Sequence, residues 1–270
     1  MKNNTVANYH THTTFCDGKN TPREILLAAI EKGLSSIGFS GHGYTDFDLR
    51  YCMKDTVGYI AEINRLKTEF AGKIEIYLGV EEDAFCYVNR SDFDYIIGSS
   101  HYFCVDGKYY PIDSNYEYFK KCLELFGYDI MAMTHAYYGA FCEYIAKRKP
   151  DIIGHFDLIT KFDELDKSLF LESREYNEAA EKYLSLAIDS GCLFELNTGA
   201  ISRGYHSSAY PAENLLYILK SKGAGLVLSS DSHSTETLDF GFGEARKYLK
   251  DIGFDGVYLM RGGRFVKEAF

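Results

Sequence analysis

Positive charge is scarce in this chain. Lys and Arg total 29 against 39 Asp and Glu, a formal net charge of −10 over 270 residues. Proteins that track nucleic acid do so with cations on phosphates, so this balance argues against a nucleic-acid partner, short of a local basic patch. Paired cysteine motifs are missing too. The seven cysteines (16, 52, 86, 104, 122, 142 and 192) are odd in number and never spaced C-x-x-C. That argues against a disulfide framework or a thiolate zinc site and suits reduced thiols in a cytoplasmic protein. No window approaches the ~20 apolar residues of a membrane span. The opening "MKNNTVANYH" lacks the apolar stretch of a secretory leader, so neither membrane nor export is expected. Low-complexity tracts, defensible repeats and linkers rich in Pro, Gly or Ser are absent as well. With 46% hydrophobic residues available for a core, residues 1–270 are expected to form one domain.

What recurs is a short apolar strand followed by a capped helix. "VANYH" (6–10), "SSIGFS" (35–40), "IEIYLGV" (74–80), "DYIIGSS" (94–100), "DIIGH" (151–155), "LFELN" (193–197), "GLVLSSD" (225–231) and "GVYLM" (256–260) read as buried strands. In "TPREILLAAIEKG", Thr21 is the expected N-cap, Pro22 the first helical residue, Glu24 the partner in a capping box and Gly33 the stop. A second helix is expected from Ser173 to Gly191, with Ala179, Tyr183, Ala187 and Ile188 on one face, and a third from Pro211 to Gly223. Alternating strands and helices imply parallel strands joined by crossovers, either an α/β barrel or a doubly wound sheet. Residues 102–150 are too long for one crossover and read as a local helical insertion.

The polar residues fall on that frame in a pattern. His10 and His12 end the first strand and, two apart, face one side. His42 follows the second, Glu81 ends the third, His101 the fourth and His155 the fifth; Asp231 and His233 end the seventh, and Asp17 lies in the first loop. In parallel α/β folds such strand ends converge on one mouth. Gathered carboxylates repel one another unless something cationic lies among them, and imidazole plus carboxylate is a ligand set for divalent metals. At about three protein ligands per catalytic ion, these groups suit three ions with a bridging carboxylate. Their combined charge favours a phosphate dianion. Zinc, manganese and iron(II) all fit. A lone histidine at a strand end more often caps or lies exposed; the serial placement is what argues for ligands. His135, inside the insertion, reads as a helix or packing residue. Strand alternation lets only one of Glu81 and Glu82 point inward, and Glu81 is chosen.

With these residues in hand, the chain resembles the polymerase and histidinol phosphatase (PHP) family of metal-dependent phosphoesterases. The shared strings are H-x-H with a downstream Asp (His10, His12, Asp17), G-H (His42), G-x-E (Glu81), S-x-H (His101), G-H-x-D (His155, Asp157) and S-D-S-H (Asp231, His233). Each is weak alone and specific in this order. "IIGHFDLITKFD" and "FELNTGAISRGYHSSAYP" are similar to its histidinol-phosphate phosphatase branch. The resemblance implies a distorted (β/α)7 TIM-like barrel, a trinuclear metal centre, and hydrolysis of L-histidinol phosphate to L-histidinol and phosphate in histidine biosynthesis. It also implies a grouping: His10, His12 and Asp231 on one ion, His101 and His155 on a second, Asp17, His42 and His233 on a third, with Glu81 bridging the first two.

On this reading a metal-bridging hydroxide attacks phosphorus, with Asp231 part of the catalytic site. Lys161 and Arg203 are candidates to grip the substrate, against the plainer reading of solvated surface charge. His206 is a candidate acid or phosphate contact. Phe15, Tyr44 and Tyr102 are the aromatic residues nearest the ligands and candidates to stack on the substrate imidazole, although most rings in the chain must be filling. Rival readings are a PHP-type exonuclease or nucleotide phosphoesterase, an amidohydrolase-like barrel acting on C–N bonds, and a metal store. The acidic balance disfavours the first, the want of an evident bridging lysine the second, and ligands at an open mouth the third. Oligomeric state is left open.

Overall fold

A computed structural model describes residues 6–165 and 169–270. Along the chain run β1 (Ala7–Asn8), α1 (Pro22–Glu31), β2 (Ser36–Phe39), α2 (Thr56–Glu69), β3 (Glu75–Asp83), β4 (Tyr95–Ser99), β5 (Tyr102–Val105) and β6 (Lys108–Pro111). There follow α3 (Tyr116–Leu125), α4 (Ile130–Arg148), β7 (Ile152–Ile153), α5 (Arg174–Ile188), β8 (Leu193–Asn197), α6 (Gly199–Ser202), α7 (Glu213–Ser221), β9 (Leu226–Ser229), α8 (Phe242–Ile252), β10 (Gly256–Arg261) and β11 (Arg264–Ala269).

Seven strands form one sheet in the order β1-β2-β3-β4-β7-β8-β9, every neighbouring pair parallel. Just beyond the ends of β1 and β9, Thr11 and Ser232 make a parallel bridge. His12 N–H donates to the Ser232 carbonyl at 2.8 Å and Ser232 N–H to the His10 carbonyl at 3.1 Å. The sheet therefore closes at its C-terminal mouth, giving a distorted (β/α)7 barrel.

Local chemistry explains the elements. Thr21 caps α1 and Glu24 completes the box, a pairing that satisfies the exposed N–H groups of a first helical turn. Ser173 caps α5, which buries Ala179, Ala180, Leu184 and Ala187. Inside the barrel the Tyr95 ring occupies the space that a Cβ at Gly38 or Gly79 would need, so both positions require glycine. Tyr95 donates its hydroxyl to the Tyr9 carbonyl.

Three expectations need correction. "GVYLM" is a strand, but it is not part of the parallel sheet: β10 pairs antiparallel with β11 through Gly262 and Gly263, both at positive φ, the geometry of a tight hairpin turn. The 102–150 insertion holds two helices as expected, but a β5–β6 hairpin precedes them, turning on Asp106 and Gly107 at positive φ. Finally, α7 starts at Glu213 rather than Pro211. Tyr210 is bridged to Asn197 and Ala212 N–H donates to Asp157 Oδ2 at 2.8 Å, which hold the chain extended through Pro211.

All seven cysteines are free. Among the described residues no helix is long and apolar enough to cross a membrane. The leaderless reading of the N-terminus falls largely on residues 1–5, outside the described ones.

Candidate metal centre

Parallel strands deliver their C-terminal ends to one mouth, and the nine nominated groups meet there. Glu81, on β3, is the hub. Its Oε2 faces His42 Nδ1 at 2.9 Å, His10 Nε2 at 3.3 Å and His12 Nε2 at 3.6 Å. Its Oε1 faces His155 Nε2 at 3.0 Å and His101 Nε2 at 3.3 Å. Asp231 Oδ1 lies 3.2 Å from His12 Nε2 and 3.7 Å from His10 Nε2. Asp17 Oδ2 lies 3.3 Å from His233 Nε2 and 3.7 Å from His42 Nε2.

Are these hydrogen bonds or ligand positions? His10 Nε2, His12 Nε2 and Glu81 Oε2 are buried with no hydrogen-bond partner, although buried polar atoms are nearly always paired. Two ligands each ~2.1 Å from a tetrahedral ion stand ~3.4 Å apart, inside the 2.9–3.7 Å range of these contacts. Four overlapping sets could each hold an ion: His10, His12 and Asp231; His12, Asp17, His42 and His233; His10, Glu81 and His155; His42, Glu81 and His101. The donor set fits divalent metal. The first set matches the grouping implied by the family. The second matches it with His12 added. His101 and His155 instead fall in separate sets, each with Glu81.

Surrounding groups fix the candidate ligands. Glu195, in the middle of β8, accepts from His10 Nδ1 at 2.9 Å and from the His155 N–H at 2.6 Å. Asp83 Oδ2 does the same for His101 Nδ1 at 3.1 Å. A proton held on Nδ1 leaves Nε2 as a lone pair aimed at the centre. Burial opposes charge on Glu81 and Asp231, yet His10 and His42 around the first, and Arg203 and His10 around the second, hold both carboxyls well below the usual range. His12 is driven down to about 3 by burial, with His233 and His42 beside it. It is neutral, the form that binds metal.

Above the cluster opens a cleft of about 400 Å³ whose walls add Arg50, Tyr51, Asp113, Lys161, Arg203 and Tyr205. Arg203 donates to Asp231 Oδ2 and to the Asp231 carbonyl, both at 2.8 Å. That grip helps hold Asp231 at φ 47, a left-handed conformation a non-glycine residue adopts at a cost. Lys161 is buried rather than solvated, its Nζ 2.7 Å from the Asp113 carbonyl oxygen.

Other nominated residues lie elsewhere. Phe15 packs edge-on against Tyr59 with ring centres 5.6 Å apart, outside the cleft walls. Tyr44 is 47% exposed and is also outside them. Tyr102 is buried behind Tyr51, its hydroxyl 3.1 Å from Asp48 Oδ2; Tyr51 forms the wall in its place. His206 is buried, Nδ1 lying 3.0 Å from Ser208 Oγ and 3.2 Å from Glu164 Oε1, with Nε2 lacking a hydrogen-bond partner. It does not line the cleft. His135 sits exposed on α4 against the Tyr183 hydroxyl.

Sequence reading missed Glu195, Asp83, Arg50, Tyr51, Tyr205 and Asp113. Two left a signal. Glu195 is an acid between the apolar Phe194 and Leu196, and Asp83 shares the strand parity of Glu81. Glu82, on the opposite face, is spent on Arg148 and the Tyr144 hydroxyl.

Comparison with known proteins follows the same line. A protein of Deinococcus radiodurans named probable histidinol-phosphatase is 31% identical over 92% of this chain and 94% of its own length. The histidinol-phosphatase of Bacillus subtilis is 27% identical over 86% of this chain and 95% of its own length. The fold is similar, with TM-score 0.68 and 22% identity, to a Lactococcus lactis histidinol phosphate phosphatase solved with zinc, L-histidinol and phosphate, covering 97% of this chain and 98% of that one. Residues 8–199 match the PHP domain, well over half of the sequence, and the chain belongs to the PHP family.

Proposed function

We propose that this protein is a metal-dependent phosphomonoester hydrolase that converts L-histidinol phosphate and water to L-histidinol and phosphate. The observation that carries this is the convergence of six histidines and three carboxylates, with unpartnered lone pairs, beneath a cleft walled by Arg50, Lys161 and Arg203. The names of the relatives, and the zinc, histidinol and phosphate in the Lactococcus lactis structure, supply the substrate.

Three divalent ions (zinc, manganese or iron) are the proposed complement. His10, His12 and Asp231 would hold one, and Asp17, His42 and His233 a second. Glu81, His101 and His155 would hold the third, with Glu81 shared. Bound there, such ions lower the pKa of water and neutralise charge on phosphoryl oxygens. The chain's own residues do the rest. Glu195 and Asp83 fix the tautomers of His10 and His101. Arg203 keeps Asp231 ionised and offers a guanidinium to the cleft, where its flat fork can meet a phosphate. Tyr51 and Tyr205 supply ring faces for the imidazole.

The test is a panel of histidinol phosphate, nucleoside monophosphates and dinucleotides with the metal-loaded enzyme, with metal per chain by elemental analysis. Phosphate release from histidinol phosphate, lost in Asp231→Asn without loss of fold, supports the reading. Preference for a dinucleotide, or near-normal turnover in that variant, overturns it.

A further inference from the structure

The cleft contains a residue that a general phosphate-binding site would do better without. Among the carboxylates that line it, Asp17, Glu81 and Asp231 belong to the histidine cluster, and Asp113 does not. Burial opposes charge on Asp113, but Lys161, His101 and His155 nearby hold its carboxyl below the ordinary range. A carboxylate here repels a phosphate dianion, the ligand the other walls attract.

Its placement is firm. Asp113 lies between β6 and α3, in the insertion. On one side, Ile112 is buried and its N–H donates to the His101 carbonyl at 2.9 Å. On the other, Asn115 caps α3. Lys161 reaches across to the Asp113 carbonyl at 2.7 Å and to Oδ2 at 3.3 Å, while its ammonium also lies 4.7 Å from the centre of the Tyr205 ring. Lys161 thus takes the Oδ2 edge. Oδ1 has no hydrogen-bond partner among the described residues. A second positive group would satisfy it.

We propose that Asp113 selects the substrate: it accepts the ammonium of an amine-bearing alkyl phosphate and turns away esters that carry only negative charge. The inference rests on the phosphatase reading above and sharpens its substrate class. In histidinol phosphate the ammonium stands on the second carbon from the ester oxygen. An ester anchored by phosphate at the cluster therefore carries its positive charge close by, where His101 and His155 border Asp113. Such a carboxylate works by both attraction and exclusion, because an ester without the amine has nothing to offer the carboxylate edge that Lys161 leaves open.

The experiment measures kcat/KM for L-histidinol phosphate and for the same ester with hydrogen in place of the amino group. Asp113→Asn is expected to lower the first about 10- to 100-fold, chiefly through KM, as befits a lost charged hydrogen bond. The deamino ester should be unchanged or improved, and Asp113→Glu should keep the wild-type preference. Equal losses for both esters would mean that Asp113 acts only by anchoring Lys161; no loss for either also overturns the proposal. A readout on the unmodified enzyme guards against a misfolded variant: its preference for the amine should fade as pH rises through the amine's pKa. Persistence of the preference counts against Asp113. If the unmodified enzyme releases phosphate from neither ester, the substrate reading itself falls; equal kcat/KM for both overturns Asp113's role alone.

Discussion

Glu195 Oε2 lies 2.9 Å from Nδ1 of His10, with both side chains fully buried. The same carboxylate accepts from the His155 N–H, Asn197 Nδ2 and Ser229 Oγ, so it is saturated with donors and cannot itself be a free ligand. Its work is orientation. Glu195→Gln keeps the shape but replaces an acceptor oxygen by a donor. Metal affinity or kcat/KM should fall about 10- to 100-fold, read by metal titration and steady-state kinetics, with the circular dichroism spectrum unchanged.

Arg203 makes two contacts with Asp231 that depend on its planar fork. Arg203→Lys retains the charge and loses one of them. It should lower kcat/KM at least tenfold, and the loss should not be recovered by raising substrate concentration if Asp231 has shifted. Full kcat at saturating substrate would show that Arg203 serves binding alone.

Gly38 and Gly79 test the barrel interior. A methyl group at Gly79 meets the ring carbons of Tyr95, whereas one at Gly38 meets chiefly its hydroxyl end. Either alanine should destabilise by about 1–3 kcal/mol, measured as a shift in denaturant midpoint. Adding Tyr95→Phe should recover part of the Gly38→Ala loss and little of the Gly79→Ala loss.

Thiol chemistry gives a pH prediction. Burial pushes Cys122 and Cys142 up to about 12, whereas Cys104 is exposed. Only thiolate reacts, so below pH 12 the alkylation rate of buried Cys122 and half-buried Cys142 should rise about tenfold per pH unit. At pH 8 the native protein should label at Cys104 well before either. Equal labelling of all three would contradict the packing.

The convergence of the candidate histidines was legible because strands enforce two simple rules. Residues follow strand ends toward one mouth, and parity decides which face a side chain takes. The same rules put Glu81 and Glu82 on opposite faces, as their contacts with the histidines and with Arg148 do. They fail where no periodicity operates. Residues 41–55 form a long loop, and nothing in its sequence says that Tyr51 rather than Tyr44 reaches the cleft. His206 looked available in a Ser- and Gly-rich loop, but it is buried and its Nδ1 faces Glu164, from a distant part of the sequence. Asp113 was hidden by a missed hairpin, although the Asp106–Gly107 pair is a recognised turn signal. β10 had the composition of a barrel strand; its double-glycine turn sends it into a ribbon with β11, pinned beneath the barrel where Met260 N–H donates to the Tyr9 hydroxyl at 2.7 Å.

The Thr11–Ser232 seam has a consequence for how the molecule comes apart. It joins the first barrel strand to the last, so nearly the whole chain forms the loop it shuts, and closing so long a loop is costly in entropy. The clasp is a handful of hydrogen bonds: the two across the Thr11–Ser232 bridge, Lys19 N–H to the His233 carbonyl and Asn8 Nδ2 to Ser230 Oγ, both at 2.8 Å. A cation gripped by His10 and His12 on one lip and Asp231 on the other would act as a buckle across the join, tying assembly of the tertiary structure to the supply of metal.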